Sequence, residues 1–505
     1  VAGLTLTPIG GYETGLEDED AAEIVAHDPD TQKLFVVNGF TDGIDVLDIE
    51  DPEFPERIEE IDLSPYGAAA NSLAVCEGVL AVAVEADPKQ DPGSVVFLST
   101  ADYALLNELT VGALPDMLAF TDDCEYLLTA NEGEPNDDYT VDPEGSVSIV
   151  HIGGKALDTL TQSDVKTAGF GPKTRWYNKD SIRIFGPGAT PAQDLEPEYL
   201  AIYDDSFQRN KHGYGGNKKP RLKAMVTLQE NNAIAIVDIR KARIEKVIGL
   251  GFKDHSEAVN AIDPSNRDDG IEINPWPVFG MFQPDAIASY VAGGRPWFLI
   301  ANEGDARDYD GFSEEVRVED VTLDSLKFPE SAELQLEENL GRLKITDAMG
   351  DYDGDGDFDR LFSYGGRSIS ILSRFGRMVW DSESQFEYLT AAILPDSFNS
   401  QGLAESFDER SDDKGSEPEG VTVAELNGRH YAFIGLERIG GIMIYDVTDP
   451  RNPFFVSYTN TGESLGDIAP EGIAFIAAED SPNDEPLLVV GFEFSGSTRI
   501  FQIRE

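Results

Sequence analysis

The chain has 505 residues, of which 41% are hydrophobic and 10% aromatic, enough apolar material for a large buried core. Its 95 acidic residues against 38 basic ones give a formal net charge of −57, and a field of that sign repels nucleic acid and anionic membranes. No apolar run reaches the roughly 18 residues that a membrane span needs, so we expect neither nucleic-acid binding nor membrane insertion.

Three explanations of the acidic charge stay open: a surface adapted to high salt, acids that bind cations, or a surface that simply resists aggregation. The first two are compatible with each other, and together they favour a salty extracellular setting. The start at Val1 and Ala2 is typical of an N-terminus from which a signal peptide has been removed. We therefore expect a secreted protein that is extracellular, periplasmic or held at the cell surface.

One pattern recurs along the chain: an acid or amide, an apolar strand, a turn, a second apolar strand, and a further acid or amide. The first position is occupied in turn by Glu23, Asn71, Asp116, Glu198, Asp285, Glu419 and Glu471. The second strand ends, in the same order, at Asn38, Glu85, Glu132, Glu230, Glu303, Glu437 and Glu493. A third strand and commonly a fourth follow. Units of about 45 residues with this content predict the blades of a β-propeller, in which stacking buries both faces of each small sheet.

We therefore predict an all-β chain that forms a single β-propeller domain over residues 1–505, with seven or eight four-stranded blades. Seven copies of the pattern are clear, and a weaker eighth near residues 341–395 favours eight. The last copy ends after its third strand, so the N-terminal stretch GLTLTPIGGYE is expected to supply the missing strand and close the ring. Segments rich in turn-forming or acidic residues predict insertions near 151–195, 251–282, 311–340 and 375–415.

The repeated acids are expected to converge at one mouth of the central channel, because the start of one antiparallel strand lies beside the end of the next. Two charges about 5 Å apart repel by roughly 3 kcal/mol at an effective dielectric near 20. A hard divalent cation relieves that repulsion, and oxygen ligands select Ca²⁺ or Mg²⁺ over zinc. The predicted metal ligands at this mouth are Asp116, Glu198, Asp285, Glu419 and Glu471. Alternatively, the acids cap strands, accept backbone N–H groups and pair with Arg307, Arg367 and Arg438.

A second acidic constellation is the stretch DYDGDGDFD, residues 351–359. Asp at alternating positions with Gly at the sixth is typical of the first half of an EF-hand calcium loop. The predicted Ca²⁺ ligands are the side chains of Asp351, Asp353, Asp355 and Asp359 and the carbonyl of Asp357. Position twelve is Phe362 rather than Glu, so a remote acid would have to complete the shell. The alternative is a solvated acidic turn.

The two cysteines, Cys76 and Cys124, both fall in the turn between the first and second strands of neighbouring copies. Equivalent points on adjacent blades can lie close together, so we predict a disulfide and, with it, an oxidising compartment. Two free thiols are the alternative.

Five motifs spread over nearly the whole chain together resemble the choice-of-anchor I domain family. They are LLTANEGEPNDDYTVDPEGSVSIV, AQDLEPEYLAI, IANEGDARDY, DGDGDFDRLFSYGGRSISI and KGSEPEGVTV. The resemblance implies a secreted or surface-attached bacterial propeller of the YVTN/WD40-like kind. Because members are often labelled alkaline phosphatase, it also implies a metal and phosphate site lined by Asn131, Glu132, Asn302, Glu303, Arg307, Arg367 and Glu419.

Motifs of nucleophilic catalysis are lacking, since the sequence has no GxSxG and no Ser/His/Asp set that spacing recommends. The predicted chemistry is therefore metal-assisted hydrolysis. We predict an extracellular, metal-dependent phosphoesterase acting on a small phosphorylated substrate, with Glu132, Glu303, Arg307 and Arg367 as catalytic residues, a likeness to alkaline phosphatase, and a second metal of unspecified identity. The alternative is a non-catalytic, calcium-stabilised propeller that binds an extracellular or envelope partner.

Overall fold

Seven sheets, each built on four antiparallel strands, make up most of the chain in the computed structural model, which describes residues 3–206 and 220–505. We number these sheets as blades 1 to 7. From the innermost strand outward, blades 1 to 3 consist of Val25–Asp28, Lys33–Asn38, Gly43–Asp48 and Glu56–Asp62; of Ala70–Cys76, Val79–Val84, Pro92–Ser99 and Leu105–Ala113; and of Pro115–Phe120, Tyr126–Asn131, Ser146–His151 and Val165–Gly169.

Blades 4 to 7 repeat this plan. Their strands, again from the innermost outward, are Leu200–Asp204, Leu222–Leu228, Ala233–Asp238 and Arg243–Gly249; Ile287–Ala292, Arg295–Asn302, Ser368–Ser373 and Met378–Asp381; Pro418–Leu426, Arg429–Leu436, Ile442–Asp446 and Phe454–Thr459; and Pro470–Ile476, Leu487–Phe492, Ser497–Arg504 and Thr5–Glu13. Blade 4 gains a fifth strand, Arg175–Tyr177, which runs parallel to Arg243–Gly249. The innermost strands of successive blades contact one another around a closed circle, so the fold is the predicted β-propeller.

The N-terminal strand closes the ring, as predicted from the sequence. Thr5–Glu13 pairs antiparallel with Ser497–Arg504, with Thr5 opposite Arg504 and Glu13 opposite Ser497. The two ends of the chain therefore share blade 7, and this pairing leaves no open junction between the first and last blades.

The ring has seven blades, the lower of the two predicted numbers. The segment 341–395 does not form a further blade, because its strands Ser368–Ser373 and Met378–Asp381 complete blade 5. The insertion at residues 303–367 separates the second and third strands of that blade, which is why the sequence gives the impression of two incomplete copies.

The insertions around blades 4 to 6 contain their own secondary structure. A five-stranded sheet outside the ring joins Phe252–Asp254, Phe279–Met281, Phe362–Ser363, Lys344–Thr346 and Glu315–Arg317, and a short hairpin pairs Asp308–Tyr309 with Phe312–Ser313. The α-helices are Pro191–Asp194, Ser331–Leu334, Gln385–Ile393 and Gly462–Leu465. Short 3-10 segments span Leu157–Thr159, Gln162–Asp164, Lys179–Ser181, Ala258–Asn260, Val318–Asp320, Pro395–Ser397 and Ala404–Ser406, and a π-type turn spans Glu337–Gly341.

The core consists of apolar layers between adjacent blades, one for each of the seven junctions. Successive side chains of a strand point to opposite faces of its sheet. In the second strand of blade 2, Leu80 and Val82 thus pack against blade 1, whereas Ala81 and Ala83 pack against blade 3. This two-sided burial explains why the second and third strands read as continuous apolar runs rather than as alternating ones.

The predicted disulfide links neighbouring blades. Cys76 ends the innermost strand of blade 2, Cys124 lies in the first turn of blade 3, and the two sulfur atoms are bonded with a Cα–Cα distance of 6.2 Å. The bridge ties together two blades that otherwise contact each other mainly through apolar packing, at the end of the first strands opposite to the acidic positions.

Candidate functional site

A repeated backbone device aims an acid at the channel axis at the start of several innermost strands. In blades 3, 5, 6 and 7 the acid follows a Pro, and the residue before that Pro has a left-handed backbone; these residues are Leu114, Gln283, Glu417 and Ala469, with φ between 44° and 59°. Such a conformation in a residue other than Gly costs on the order of 1–3 kcal/mol, and it persists only where the surrounding structure enforces it.

A β-bulge accompanies the acid in blades 3, 6 and 7, where the register shifts across Asp116, Glu419 and Glu471. Blade 2 has the same bulge at Asn71. A bulge adds a residue that the ladder does not pair, and it redirects that residue's side chain. The three bulged acids line one cavity together with Glu198 and Asp285, the acids of blades 4 and 5. Side chains from five blades meet in this cavity, so it lies at the axis of the ring.

Backbone hydrogen bonds place the second series of acids beside the first. The N–H of Glu132 donates to the carbonyl of Leu114 at 2.9 Å, and the N–H of Glu437 donates to the carbonyl of Glu417 at 2.8 Å. The N–H of Glu493 makes the equivalent bond to Ala469 at 2.8 Å. Each bond joins the end of a second strand to the residue two positions before the axial acid, so both acidic series lie at one end of the ring.

The axial cavity has a volume of about 130 Å³, which is enough for a few ions or water molecules but small for an organic substrate. All five metal ligands predicted at the channel mouth line it: Asp116, Glu198, Asp285, Glu419 and Glu471. They come from five blades and from positions up to 355 residues apart in sequence, and the structure brings them together as predicted.

The axial acids and the strand-end acids form two groups of five carboxylates. Cluster A, between blades 3 and 4, consists of Asp116, Glu132, Glu196, Glu198 and Glu230. Cluster B, between blades 5 and 6, consists of Asp285, Glu303, Glu417, Glu419 and Glu437. Each cluster comprises two triads in which the ligand oxygens lie within 4.8 Å of one another, and the triads share Glu132 in cluster A and Glu303 in cluster B. Oxygen-only groups of this spacing are suited to Ca²⁺ or Mg²⁺.

Cluster A is poorly neutralised by the protein itself. Among the residues that the structure describes, none of Asp116, Glu132, Glu198 and Glu230 takes part in an ion pair. One carboxylate oxygen each of Glu196, Glu198 and Glu230 is buried without a hydrogen-bond partner in the described part of the chain. Glu196 and Glu230 are only 1% and 5% exposed, so the missing partners are not replaced by bulk solvent.

Burial and mutual repulsion act on these carboxyl groups in the same direction. Burial, reinforced by the charges of Glu134 and Glu85, raises the pKa of Asp116 to about 7. Burial also raises the pKa of Glu132 and of Glu198 well above the usual range, with neighbouring carboxylates adding to the effect. A carboxyl group with such a pKa is protonated near neutral pH unless a cation takes the proton's place.

Arg307 and Arg367, predicted to be catalytic, are 1% and 3% exposed and are fully engaged. Arg307 pairs with Asp194 and with Glu196, at 2.7 Å from the latter, and lies over the ring of Phe185. Arg367 donates to Glu387 at 2.9 Å and to three backbone carbonyls, those of Asp263, Ser411 and Asp413. In this structure the two guanidinium groups therefore hold the insertions against the ring, and their catalytic role remains a prediction.

The predicted calcium loop lies apart from the channel and is exposed. Carboxylate oxygens of Asp351, Asp353 and Asp355 lie within 4.8 Å of one another, and Asp351 accepts N–H bonds from Gly354 and Gly356. The charge of Asp355 is the main cause of a raised pKa at Asp353. Asp357 and Asp359 do not belong to this close group, although Asp359 accepts the N–H of Tyr352 at 2.9 Å.

Several residues of the site are missed by the sequence pattern. The repeat singles out the second Glu of each Glu-Pro-Glu motif and omits Glu196 and Glu417. Of the basic residues beside cluster B, the sequence analysis names Arg438 but not Arg410 or Lys414. A signal is nevertheless present, because Glu-Pro-Glu occurs at 196–198 and again at 417–419, and both glutamates of each motif contribute to a cluster.

A closed ring of seven blades with an acid-lined axial cavity defines a β-propeller with a candidate cation centre at its axis. The family model of the choice-of-anchor I domain matches residues 23–450, from the first axial acid to the turn after the third strand of blade 6. The chain therefore belongs to the choice-of-anchor I domain family, as its motifs predict.

Two curated relatives match parts of the chain. Gigasin-3a of Magallana gigas is 33% identical over 185 residues, which are 33% of this chain and 65% of that protein. The mesenchyme-specific cell surface glycoprotein of Strongylocentrotus purpuratus is 27% identical over 222 residues, which are 37% of this chain and 28% of that protein. The matches thus span just under two thirds of the first relative and less than a third of the second.

Solved structures are similar over almost the full length. Hydrazine synthase of Kuenenia stuttgartiensis has a TM-score of 0.47 and 12% identity, covering 97% of this chain and 99% of that one. A streptogramin B lyase has a TM-score of 0.47 and 9% identity, covering 99% and 98%. The count of seven blades rests on the pairing of the strands themselves. No helix among the described residues is long and apolar enough to cross a membrane.

The acids between blades 7 and 1 generate a testable pH dependence. Burial, with the charges of Glu493 and Asp20, raises the pKa of Glu23 to about 8. The folded protein therefore keeps a proton that the unfolded chain releases near pH 4.5, so the free energy of unfolding falls as pH rises from about 4.5 to about 8. Glu23→Gln removes this contribution, which is at most about 1.4 kcal/mol per pH unit.

Urea unfolding at pH 5 to 8 without divalent cations measures the effect, and the advantage of Glu23→Gln over the parent should grow with pH. Glu59→Gln, at an outer-strand position that is exposed, is the matched control and should show no such trend. A difference between Glu23→Gln and parent that does not change with pH would contradict the raised pKa.

Proposed function

We propose that the protein is an extracellular propeller that binds divalent cations, and that the carboxylates at one mouth of its channel are the binding centre. The observation that carries the proposal is a set of buried carboxylate oxygens, in Glu196, Glu198 and Glu230, that lie among other acids and have no hydrogen-bond partner within residues 3–206 and 220–505. A cation satisfies these oxygens and removes their mutual repulsion, whereas protonation removes only the charge.

The donor set favours Ca²⁺ over other cations. All candidate ligands are carboxylate oxygens, and this ligand set disfavours zinc, which prefers nitrogen and sulfur ligands. Five carboxylates per cluster exceed what Mg²⁺ ordinarily takes from protein, since Mg²⁺ keeps several waters, whereas Ca²⁺ accepts six to eight oxygens in flexible geometry. When bound, Ca²⁺ would supply a positive centre at the mouth of a strongly acidic protein.

Extracellular placement is supported by two observations and agrees with a general property of Ca²⁺ sites. The disulfide between Cys76 and Cys124 requires an oxidising compartment to form and persist. One relative is named a cell surface glycoprotein, and the family name refers to anchoring. Ca²⁺ at extracellular concentrations also occupies sites too weak to fill inside a cell.

The role that follows is the binding of an anionic group through the cation. The net charge of −57 repels anions from the bare protein, so an acidic or phosphorylated partner gains access once cations neutralise the mouth. The cavity of about 130 Å³ leaves such a group outside the channel, in contact with the mouth only. This arrangement fits an adhesion, matrix or envelope protein whose partner is recognised in the presence of calcium.

Phosphoester hydrolysis is the second candidate, and a specific observation favours it. Beside cluster B, Lys414 contacts Glu303 and Glu417, and Arg438 contacts Glu437 at 2.8 Å with a third of its side chain exposed. A cation and an exposed guanidinium at one mouth are a combination that binds phosphate. The candidate is placed second because Arg307 and Arg367, the arginines expected to hold phosphate, are buried and occupied.

Elemental analysis of the purified protein, joined to release of phosphate from p-nitrophenyl phosphate with and without chelator, separates the two candidates. We expect bound calcium in the untreated protein and, for a cation-dependent binder, no turnover above that of free Ca²⁺. Turnover that chelation abolishes and Ca²⁺ restores would establish the esterase instead. Absence of any bound divalent cation, even after dialysis against millimolar Ca²⁺, would contradict both candidates.

The loop at residues 351–359 is a separate proposed Ca²⁺ site with its own test. Asp353→Ala combined with Asp355→Ala removes two of the three clustered carboxylates without disturbing the backbone bonds accepted by Asp351. The melting temperature of the parent should rise more in Ca²⁺ than that of the double variant. If Ca²⁺ raises both melting temperatures equally, the loop is a solvated acidic turn.

A further inference from the structure

Clusters A and B are two copies of the same arrangement, built from equivalent positions of different blades. Asp116 and Asp285 lie at the start of the innermost strands of blades 3 and 5, the first within its strand and the second two residues before it. Glu132 and Glu303 follow the second strands of the same blades. The remaining members come from the next blade in each case. They are Glu196, Glu198 and Glu230 in cluster A, matched by Glu417, Glu419 and Glu437 in cluster B.

The support behind the two copies is also the same. Asn131, which precedes Glu132, is fully buried and donates to the hydroxyls of Ser146 and Ser148 at 3.1 Å and 2.9 Å. Asn302, which precedes Glu303, donates to Ser368 and Ser370 at 3.1 Å and 2.7 Å. Each asparagine side chain fixes the end of the strand that its neighbouring glutamate follows. The carboxylates of Glu132 and Glu303 are therefore held in equivalent positions.

The two copies differ in the positive charges around them. In cluster B, the Nζ atom of Lys414 lies 2.6 Å from Glu303 and 3.1 Å from Glu417, and its side chain is 11% exposed. Glu417 also pairs with Arg410 at 2.6 Å and with Arg438 at 3.3 Å.

Cluster A has no counterpart of Lys414 among the described residues. Arg307 pairs with Glu196 from outside the triad, and Lys89 pairs with Glu134, a neighbour that belongs to neither triad. Among the residues described by the structure, the shared carboxylate of Glu132 has no ion-pair or side-chain hydrogen-bond partner, whereas its equivalent, Glu303, accepts bonds from Lys414 and from Gln229. The two copies therefore differ at one triad: Glu303, Glu417 and Glu437 are in contact with Lys414 and Arg438, whereas the equivalent triad of cluster A has only Arg307, on Glu196. The axial acids of the two copies are alike, since among the described residues one buried oxygen of Glu198 and one of Glu419 lack a hydrogen-bond partner.

We propose that cluster A is the divalent-cation site and that in cluster B the ammonium group of Lys414 takes the place of a cation. The inference rests on the proposed function and assigns it to one of the two copies. Lys414 contacts Glu303 and Glu417, the equivalents of Glu132 and Glu196, so the matching position in cluster A is the buried triad of Glu132, Glu196 and Glu230. With the ammonium group of Lys414 fixed in cluster B, the channel mouth binds fewer divalent cations. A positive group also stays fixed at the same mouth as the bound ion.

Calcium binding by titration calorimetry and by elemental analysis after gel filtration tests the assignment. The comparison uses a parent that already carries Asp353→Asn and Asp355→Asn, so that the exposed loop does not contribute. Glu132→Gln should lose the Ca²⁺ that the parent binds, with affinity reduced at least tenfold, whereas Glu303→Gln, at the equivalent position of the other copy, should retain it.

Lys414→Met keeps the volume of the side chain but removes its charge, so it should bind an additional Ca²⁺ per chain and show a larger rise in melting temperature with Ca²⁺ than the parent. Lys414→Arg is the matched control and should bind no additional Ca²⁺. Equal losses in Glu132→Gln and Glu303→Gln, or no gain in a folded Lys414→Met, would overturn the assignment while leaving cation binding intact. If Lys414→Met fails to fold, the contrast between Glu132→Gln and Glu303→Gln decides the assignment alone.

Failure of the proposed function has a different signature. In that case the loop-neutralised parent binds no Ca²⁺, Glu132→Gln changes nothing, and Lys414→Met gains nothing. Circular dichroism of every variant in the absence of Ca²⁺ identifies those that lose their fold, so that loss of binding is not confused with unfolding.

Discussion

Repulsion between carboxylates gathered around one axis is the constraint on which the rest of this structure depends. Acids from five blades line a cavity of about 130 Å³, and a second series lies directly beside them. Two like charges about 5 Å apart cost roughly 3 kcal/mol, so an uncompensated ring of this kind opposes folding. The apolar layers between the blades must outweigh this repulsion, or a cation must remove it.

The fold meets that demand by separating its apolar and acidic parts. Seven apolar layers lie between blades, where strands are buried on both faces, whereas the acids lie only at strand ends next to the axis. Closure by Thr5–Glu13 and the Cys76–Cys124 bridge hold the ring together at positions away from the acids. The left-handed residues before the axial prolines add local strain, which is typical of positions that serve a site rather than stability.

The sequence predicted the parts of this structure that repeat. The recurring positions of Asp116, Asp285 and Glu419 identified the innermost strands, the axial acids and the closing strand, because a propeller applies one local pattern many times. The number of blades was less certain, since the insertion at residues 303–367 divides blade 5 into two incomplete copies. A sequence pattern identifies the individual strands, but it does not show which strands far apart in sequence pair with each other.

Most partners of individual charges could not be predicted, because they come from insertions that carry no repeat. Arg438 is the exception: it follows a repeated strand, and its expected pairing with the acids is confirmed. Lys414 reaches Glu303 from a loop more than a hundred residues away, and Arg307 pairs with Asp194 and with Glu196 of cluster A. Whether a guanidinium group faces a ligand or a buried carboxylate depends on how the insertions pack against the ring. The repeat thus defined where the acids meet, and the insertions determined which of them remain unpaired.

The most direct test of a cation at the channel mouth is the anomalous diffraction of crystals grown with Ca²⁺ and measured at long wavelength. We predict a peak in cluster A, between blades 3 and 4, within about 2.6 Å of carboxylate oxygens of Glu132 and Glu230. A full-strength peak at residues 351–359 with no signal in cluster A would contradict this prediction, because the buried acids would then be satisfied by protons alone.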